Sequence, residues 1–251
     1  MIIIENIHKS FNGNVVLNGI SGEFQRGKTN MIIGASGTGK SVLLKCIVGL
    51  VIPDEGRVYY NGREFTGASK KTKIEIRREI GMLFQGGALF DSMTVENNIK
   101  FPLDRLTDLA EDEKLDKVNH VLKMVDLVDS NKKMPSELSG GMKKRVGIAR
   151  AIVNGSNYLL CDEPNSGLDP VTAIRIDNLI KEITHELNIT TVVVSHDMNS
   201  VMEIGEYVMF LYNGNKVWEG SKDNILDATE GAINDFIFAN KMMQIVKKQS
   251  E

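Results

Sequence analysis

Short, continuous apolar runs alternate along the chain with longer segments in which apolar residues recur at helical spacing. Runs such as YLLCD and TTVVVS are apolar on both faces, which is typical of central strands covered by helices. The predicted strands are Ile2–Glu5, Met31–Ile33, Ile80–Phe84, Tyr158–Asp162 and Thr191–Ser195. The predicted helices are Ser41–Val48, Lys114–Val125, Gly140–Ile152, Val171–Leu187 and Met198–Ile204. This order predicts an α/β fold with a mainly parallel core sheet.

Two regions depart from this alternation. The segments Val15–Ile20, Glu23–Phe24 and Val58–Tyr60 indicate an antiparallel β layer beside the core, with Asn61-Gly62 as a turn. Residues 86–140 contain mostly helical patterns, and a further helix is predicted at Gly140–Ile152. We therefore expect an antiparallel β subdomain and an inserted helical subdomain of about 86–155. Pro102 and Pro135 are expected to lie between its helices.

The end of the chain predicts a hairpin followed by a helix. Asn213-Gly214-Asn215 separates the β patterns Tyr207–Tyr212 and Lys216–Trp218. The tail, about 226–251, carries apolar residues close to one helical stripe, namely Ile233, Phe236, Ile237, Met243 and Val246. We expect this helical tail to dock against the main domain, about 1–225, in preference to lying on a membrane surface.

Composition narrows the classes of partner. The net charge of the 251 residues is −3, so the strongly basic surface typical of a nucleic-acid-binding protein is not predicted. Cys46 and Cys161 lie in apolar stretches without metal-ligand spacing, which indicates buried thiols. The N-terminus lacks the pattern of a signal peptide, and no apolar run approaches the ~20 residues that span a bilayer. We expect a cytoplasmic protein that reaches membranes only through a partner.

A glycine-rich segment carries the clearest chemistry. It follows the apolar strand MII, opens the helix beginning at Ser41-Val42, and fits G-x-x-x-x-G-K-[S/T] at every fixed position. Its residues are Gly34, Ala35, Ser36, Gly37, Thr38, Gly39, Lys40 and Ser41. Glycines allow the backbone to curl around phosphate oxygens, and the helix N-terminus adds a positive dipole end. Lys40 supplies a charge for the β- and γ-phosphates, and the Ser41 hydroxyl is a Mg²⁺ ligand.

Polar residues at the ends of three other strands complete a candidate hydrolytic site. The strand YLLCD ends in Asp162, a predicted Mg²⁺ ligand, and Glu163 follows as the predicted general base for the attacking water. Gln85 ends the strand IGMLFQ, where its amide could reach both metal and water. His196 ends the strand TTVVVS, where its imidazole could contact the γ-phosphate.

The segment Leu138-Ser139-Gly140-Gly141-Met142 is similar to the LSGGQ signature of ABC proteins, although Met142 replaces the usual glutamine. With the motifs above it resembles the nucleotide-binding subunits of ABC transporters, over residues from about 2 to 225. The resemblance implies a P-loop NTPase core and ATP hydrolysis coupled to transport. It identifies Gln85 as the Q-loop glutamine, Ser166–Asp169 as the D-loop, His196 as the switch histidine and Phe11 as the aromatic that stacks on adenine.

The signature also has a physical rationale. Ser139 is a good N-cap, while Gly140 and Gly141 leave a helix N-terminus open as a second anion site. The resemblance implies that this site faces the γ-phosphate held by another subunit. Each ATP is then bound between Lys40 of one chain and Ser139 of its partner, with Asp169 nearby, so we expect a homodimer with two ATP and two Mg²⁺.

Within the family, MLFQGGALFDSMTVENNI and MPSELSGGMKKR resemble the ATPases of Mla phospholipid-transport systems. That resemblance implies phospholipid transport to maintain outer-membrane lipid asymmetry. The implied partners are an inner-membrane permease, a membrane-anchored lipid-binding protein and a small regulatory subunit, and the chain would lie on the cytoplasmic face of the membrane. Alternatives are an ABC ATPase for another substrate, a soluble ABC protein acting on ribosomes or DNA, and a nucleotide sensor without turnover.

The apolar stretch after Gln85 indicates where a permease could bind. We expect Leu89, Phe90 and Met93 to form part of a groove that accepts a helix from a membrane partner. The alternative is that these three side chains pack the helical subdomain internally.

Overall fold

The computed structural model describes residues 1–228 and 231–239, so the tail positions Met243 and Val246 lie outside the described residues. The chain divides into two compact units. The first contains Met1–Gln25, Thr29–Gly67 and the described residues from Val194 onward. The second contains Arg26–Lys28 and Ala68–Val193.

The first unit contains most of the strands. They are β1 (Ile2–Phe11), β2 (Asn14–Phe24), β3 (Thr29–Ile33), β4 (Glu55–Tyr60), β5 (Arg63–Glu64), β9 (Tyr207–Tyr212) and β10 (Asn215–Gly220). Its helices are α1 (Lys40–Val48), α7 (Met198–Ile204) and α8 (Gly231–Ile237), and a 3-10 turn spans Ile225–Asp227. The predicted antiparallel layer is present in the order β2-β1-β4-β5. Strand β3 pairs in parallel with β9, and β10 closes the predicted hairpin.

The second unit contains most of the helices. They are α2 (Lys70–Arg78), α3 (Val95–Leu106), α4 (Glu111–Met124), α5 (Gly140–Ile152) and α6 (Pro170–Glu186), with a 3-10 turn at Pro135–Glu137. Its strands are β6 (Ile80–Leu83), β7 (Tyr158–Asp162) and β8 (Thr190–Ser195), whose last two residues belong to the first unit. Strands β6 and β7 are parallel, and α3 packs against α4 and α5.

The apolar runs form the core, as the pattern predicts. Every residue of β3, β7 and β8 is buried, which explains why these strands show no alternation of polar and apolar residues. In the tail, α8 buries Ile233 and Ile237, in agreement with the predicted docking of that part of the stripe. Among the described residues, no helix combines the length and apolar character that a bilayer crossing requires.

Three element predictions need correction. Helix α2 was not predicted, because its sequence KKTKIEIRR is mostly charged and buries only Ile76. Helix α3 continues through Pro102, which the sequence pattern placed between helices. Strand β1 extends to Phe11, and its pairing with β2 contains register shifts that hide the alternation of apolar residues.

Candidate functional site

The glycine-rich loop of the first unit connects β3 to α1 and has the backbone that its sequence requires. Gly34, Gly37 and Gly39 have positive φ angles of 147°, 81° and 98°. A Cβ at Gly34 would lie 2.3 Å from the carbonyl oxygen of Leu211, and one at Gly39 would lie 2.8 Å from that of Val16. Glycine is therefore needed both for the curled conformation and for the close approach of neighbouring backbone.

Lys40 lies inside this loop. Its ammonium is buried and donates hydrogen bonds to the carbonyl oxygens of Gly34 at 2.9 Å and Ala35 at 2.8 Å, while Thr38 Oγ1 also donates to Ala35. A curled loop that holds an ammonium group at the start of a helix suits an anionic oxygen, because the charge and the helix dipole both favour it. The predicted phosphate residues 34–42 thus form one continuous structure, and they fit a nucleotide phosphate.

Two further predicted residues belong to the same unit. Phe11 ends β1 with 44 % of its surface exposed, and Lys9 Nζ lies 5.3 Å from its ring centroid. An exposed aromatic face of this kind suits stacking on a base. His196 is exposed directly after β8, at the strand end where the sequence placed it.

The predicted carboxylates belong to the second unit. Asp162 ends the buried strand β7 and is only 7 % exposed, and Glu163 follows it half-buried. Glu163 has a left-handed backbone with φ 49°, an uncommon conformation for a residue with a Cβ. Strained backbone of this kind clusters at functional sites, where neighbouring structure holds it in place.

Gln85 lies close to the D-loop in the second unit. Its side-chain amide is exposed and donates a hydrogen bond to Ser166 Oγ at 3.4 Å. Lys144, which the sequence motifs did not single out, donates to the carbonyl oxygens of both Gln85 and Glu163. Burial lowers the pKa of the Lys144 ammonium, against a smaller opposing effect of nearby acidic groups. The structure therefore brings Gln85 and Glu163 together around one buried cation.

The signature segment begins α5. Ser139 is the N-cap and its Oγ accepts a hydrogen bond from the Met142 amide, while Ser139 and Gly140 are exposed. Gly141 is buried, and a Cβ there would lie 2.6 Å from Thr172 Cγ2 of α6. The second glycine is therefore explained by helix packing, whereas the exposed helix start is formed by Ser139 and Gly140.

Asp169 has a structural role that its predicted place at the nucleotide did not include. Its carboxylate caps α6, accepting hydrogen bonds from the amides of Val171 at 3.1 Å and Thr172 at 3.0 Å. Hydrogen bonding from Thr172, first through its side chain and then through its amide, lowers the pKa of Asp169. Any contact with nucleotide is additional to this cap.

A groove in the second unit has a volume of about 460 Å³ and a mostly apolar lining. Phe90 lines it as predicted, together with Phe84, Phe101 and Pro102, but Leu89 and Met93 are not among the lining residues. Arg150 borders the groove and donates to the carbonyl oxygens of Gly87 at 2.7 Å and Ala88 at 2.8 Å. The groove is thus built directly on the segment that follows Gln85, and Arg150 holds that segment in place.

Residues 17–166, more than half of the chain, match the family model described as ABC transporter. The intermembrane phospholipid transport system ATP-binding protein MlaF of Haemophilus influenzae is 34 % identical, over 94 % of this chain and 90 % of its own length. The methionine import ATP-binding protein MetN of Carboxydothermus hydrogenoformans is 43 % identical, over 88 % of this chain. The chain spans only 66 % of that MetN and 68 % of a probable ribonucleotide transport ATP-binding protein of Mycobacterium leprae, which is 36 % identical over 94 % of this chain.

Solved structures show the same fold. The ATP-binding cassette MJ0796, in a dimeric post-hydrolysis state bound to ADP and Pi, superposes with a TM-score of 0.80 at 30 % identity, over 88 % of this chain and 99 % of that one. The chain cbiO1 of Clostridium perfringens, part of the cbiONQ ABC transporter complex, gives a TM-score of 0.84 at 28 % identity, over 98 % of both chains. This chain belongs to the ABC transporter family, as one of its ATPase cassettes.

Proposed function

We propose that the chain powers a bacterial ABC transporter as a pair of identical subunits that bind two ATP molecules between them. The observation that carries this proposal is that one chain holds both halves of an anion site in separate elements. Lys40 and its loop form one half, and the exposed helix start at Ser139 and Gly140 forms the other. Two copies related by a twofold axis would each complete the site of the other.

The proposed hydrolysis assigns one task to each side chain. Lys40 would exchange its bonds to the loop carbonyls for bonds to the β- and γ-phosphates, which pairs its charge with anionic oxygens. Glu163 would accept the proton of the attacking water, Gln85 would orient that water, and His196 would contact the γ-phosphate. Phe11 would stack on the adenine.

The donor set also suits a magnesium ion. Ser41, Gln85 and Asp162 offer a hydroxyl, an amide and a carboxylate oxygen, and Mg²⁺ prefers oxygen ligands together with water and phosphate. When bound, Mg²⁺ neutralises charge on the phosphate oxygens. Ser41 lies in the first turn of α1, and Asp162 is the last residue of β7.

The groove of the second unit is the proposed seat of the permease. Phe84 and Phe90 expose 39 % and 41 % of their surface there, and the rings of Phe90 and Phe101 are 4.9 Å apart. Arg78 and Arg150 add positive charge to the lining, so a short helix with apolar residues and an acidic one would fit. Occupation of the groove would act on Gln85 through the adjoining residues.

For the cargo, we propose phospholipid. The segments MLFQGGALFDSMTVENNI and MPSELSGGMKKR resemble those of Mla ATPases, and the match to MlaF covers 94 % of this chain and 90 % of that protein. The higher identity to MetN makes import of methionine the second candidate. An ABC protein of this class would lie at the cytoplasmic face of the inner membrane, bound to its permease, with an anchored lipid-binding protein and a small regulatory subunit as further partners.

Purification of the chain in detergent with its native partners tests both parts of this proposal. Mass spectrometry is expected to identify a permease with several membrane spans and a single-span lipid-binding subunit, together with phospholipid above the level of a mock purification. A methionine-binding protein in place of the lipid-binding subunit would select the second candidate. Recovery of ribosomal proteins or DNA without a permease would contradict the transporter assignment.

A further inference from the structure

Lys144 is a buried cation that forms no close ion pair in the described part of the chain. Three lysines are buried there, Lys40, Lys114 and Lys144. Lys40 belongs to the phosphate loop, and Lys114 forms ion pairs at 2.9 Å with both Asp104 and Glu111. Lys144 is only 5 % exposed and forms no such pair. Burial of a charge without a close ion pair costs free energy, so its position needs an explanation other than stability.

The groups that do contact the Lys144 ammonium belong to two predicted catalytic residues. Its Nζ donates to the carbonyl oxygen of Gln85 at 3.5 Å and to that of Glu163 at 3.4 Å. Both bonds are long, so the two loops converge on the cation without holding it tightly. The Glu163 carbonyl belongs to the residue with the left-handed backbone, so Lys144 is one of the groups that surround this conformation.

Lys144 also lies on the signature helix. It follows Ser139 by five residues in α5, an axial distance of about 7 Å at the rise of an α-helix. Hydrogen bonding along α5 makes this short segment stiff, so a displacement of Ser139 is transmitted to Lys144. One helix therefore carries an anion site at its exposed start and, about one and a half turns later, a contact with the backbone of Glu163.

We propose that Lys144 is a positioning residue that links the two ATP sites of the pair. This inference rests on the proposed function. In that arrangement Ser139 faces the nucleotide of the partner chain, while Glu163 acts on the nucleotide of its own chain. When Ser139 engages the partner's ATP, α5 settles and Lys144 fixes the backbone of Gln85 and Glu163. Each site is thereby made competent for hydrolysis when the other is filled.

The test compares Lys144→Met, Lys144→Arg and Lys143→Met in steady-state ATPase assays. Methionine preserves the length of the lysine stem and removes the charge. Lys143 is its neighbour on α5 and only partly buried, so it is the matched control for loss of one positive charge. We expect Lys144→Met to lower kcat about tenfold or more with KM for ATP changed less than about twofold, and to give a lower Hill coefficient for ATP than the wild type. Lys144→Arg is expected to recover much of the lost kcat, and Lys143→Met to resemble the wild type.

Melting temperatures and amide hydrogen exchange over residues 162–167 complete the test. Faster exchange in that segment of folded Lys144→Met, with the remaining core protected as in the wild type, supports positioning. Lys144→Leu is the second apolar variant; if neither folds, Lys144 is structural and the proposal is overturned. Equal kcat in Lys144→Met and Lys143→Met also overturns it. By contrast, a wild-type chain that neither hydrolyses ATP nor pairs in its presence would refute the proposed function itself.

Discussion

At the residue scale, the backbone of Glu163 carries as much information as its carboxylate. Glu163 follows the fully buried strand β7, and its left-handed conformation changes the direction of the chain within one residue. Such a conformation costs of the order of 1–3 kcal/mol and persists only where surrounding contacts maintain it. The structure supplies one of those contacts through Lys144. The fold therefore contributes to the orientation of the proposed base through the backbone as well as through the side chain.

Glu163→Gln tests the proposed base. The amide keeps the size of the side chain but cannot accept the proton of water, so turnover is expected to fall about 100-fold or more while ATP binding is retained. Phosphate release measures the loss, and gel filtration with ATP is expected to show accumulated pairs. Glu182→Gln, at an exposed position of α6, is the control. Hydrolysis by Glu163→Gln at the wild-type rate would show that another group is the base.

The sequence revealed the residues whose chemistry depends on a motif, and it missed those whose role depends on packing. Lys40 and Glu163 were predicted because their neighbours along the chain define the phosphate loop and the end of a strand. Lys144 and Arg150 follow the signature without a pattern of their own, and only the structure brings them to Gln85, Glu163 and Gly87. Spacing along one helix could not reveal partners that lie about 20 to 60 residues away.

At the element scale, the segment that borders the groove is fastened to helix α3 by one side chain. Asn98 is fully buried, accepts a hydrogen bond from the Phe90 amide at 2.8 Å, and donates to the carbonyl oxygens of Phe90, Met93 and Thr94. The same helix contains Pro102, which lacks the N–H that would bond to the Asn98 carbonyl. The side chain of Asn98 thus fixes the backbone of residues 90–94 to helix α3. It does so although Pro102 removes one hydrogen bond from that helix.

Asn98→Ala is expected to destabilise the protein by about 2–3 kcal/mol, because it leaves buried backbone groups of the loop without their partner. Urea unfolding measures this change in the free energy of unfolding. Asn97→Ala, whose side chain is exposed one position earlier, is the matched control and is expected to change stability by less than about 0.5 kcal/mol. Similar losses for the two variants would mean that the hydrogen bonds of Asn98 are not what fixes the loop.

A pH dependence is expected where α3 meets α4. Hydrogen bonds from Lys100 and then Lys114 lower the pKa of Glu111 to about 2. A lowered pKa stabilises the fold above the usual glutamate range, and that stabilisation is lost as the pH falls from about 4.5 towards 2. Because Glu111 is exposed, the effect is small. The melting temperature of Glu111→Gln should therefore decrease less than that of the wild type when the pH is lowered from about 6 to about 3.

The exposed acid Asp116 on α4 provides the control for this comparison. Asp116→Asn is expected to follow the wild-type pH dependence of the melting temperature. If Glu111→Gln and Asp116→Asn show the same difference between the two pH values, the ion pairs of Glu111 do not contribute to the acid sensitivity of the fold.

Prediction of elements succeeded where burial dominates the sequence. Strand β7 and helices α5 and α7 have the predicted bounds, because each presents a clear run or stripe of apolar residues. Helix α2 was not predicted because its sequence has no apolar stripe. It is held by the burial of one residue, Ile76, and by the N-cap Ser69. The continuation of α3 past Pro102 likewise depends on packing against α4 and α5, which local patterns do not contain.

At the scale of the whole molecule, the proposal depends on pairing. Ser139→Arg places a long cationic side chain at the exposed start of α5, where the partner's phosphate would lie. We expect hydrolysis to fall more than about tenfold, while binding of ATP to single chains stays near the wild-type affinity because the phosphate loop is unchanged. Phosphate release and fluorescent-nucleotide titration separate these two effects.

Ser136→Arg is the matched control, since it adds the same side chain at an exposed position of the preceding 3-10 turn. It is expected to retain hydrolysis. Full activity of Ser139→Arg would mean that each chain hydrolyses ATP without the signature of its partner, and loss of activity in both variants would point to a general effect of the added charge.

The close approach of α5 to β6 limits how the cassette can move. A Cβ at Gly81 would lie 2.0 Å from the Ala151 carbonyl oxygen, and one at Gly147 would lie 2.7 Å from Leu83 Cδ1. Backbone packed this tightly leaves no room for sliding or tilting at the junction. We therefore expect the later half of the signature helix, from Gly147 onward, to move together with β6 during the ATP cycle, while its start at Ser139 lies outside this junction. We expect any hinge in this unit to lie in the loops that connect its helices and strands. A rotation of the helix and strand would then also move the groove that we propose as the permease site.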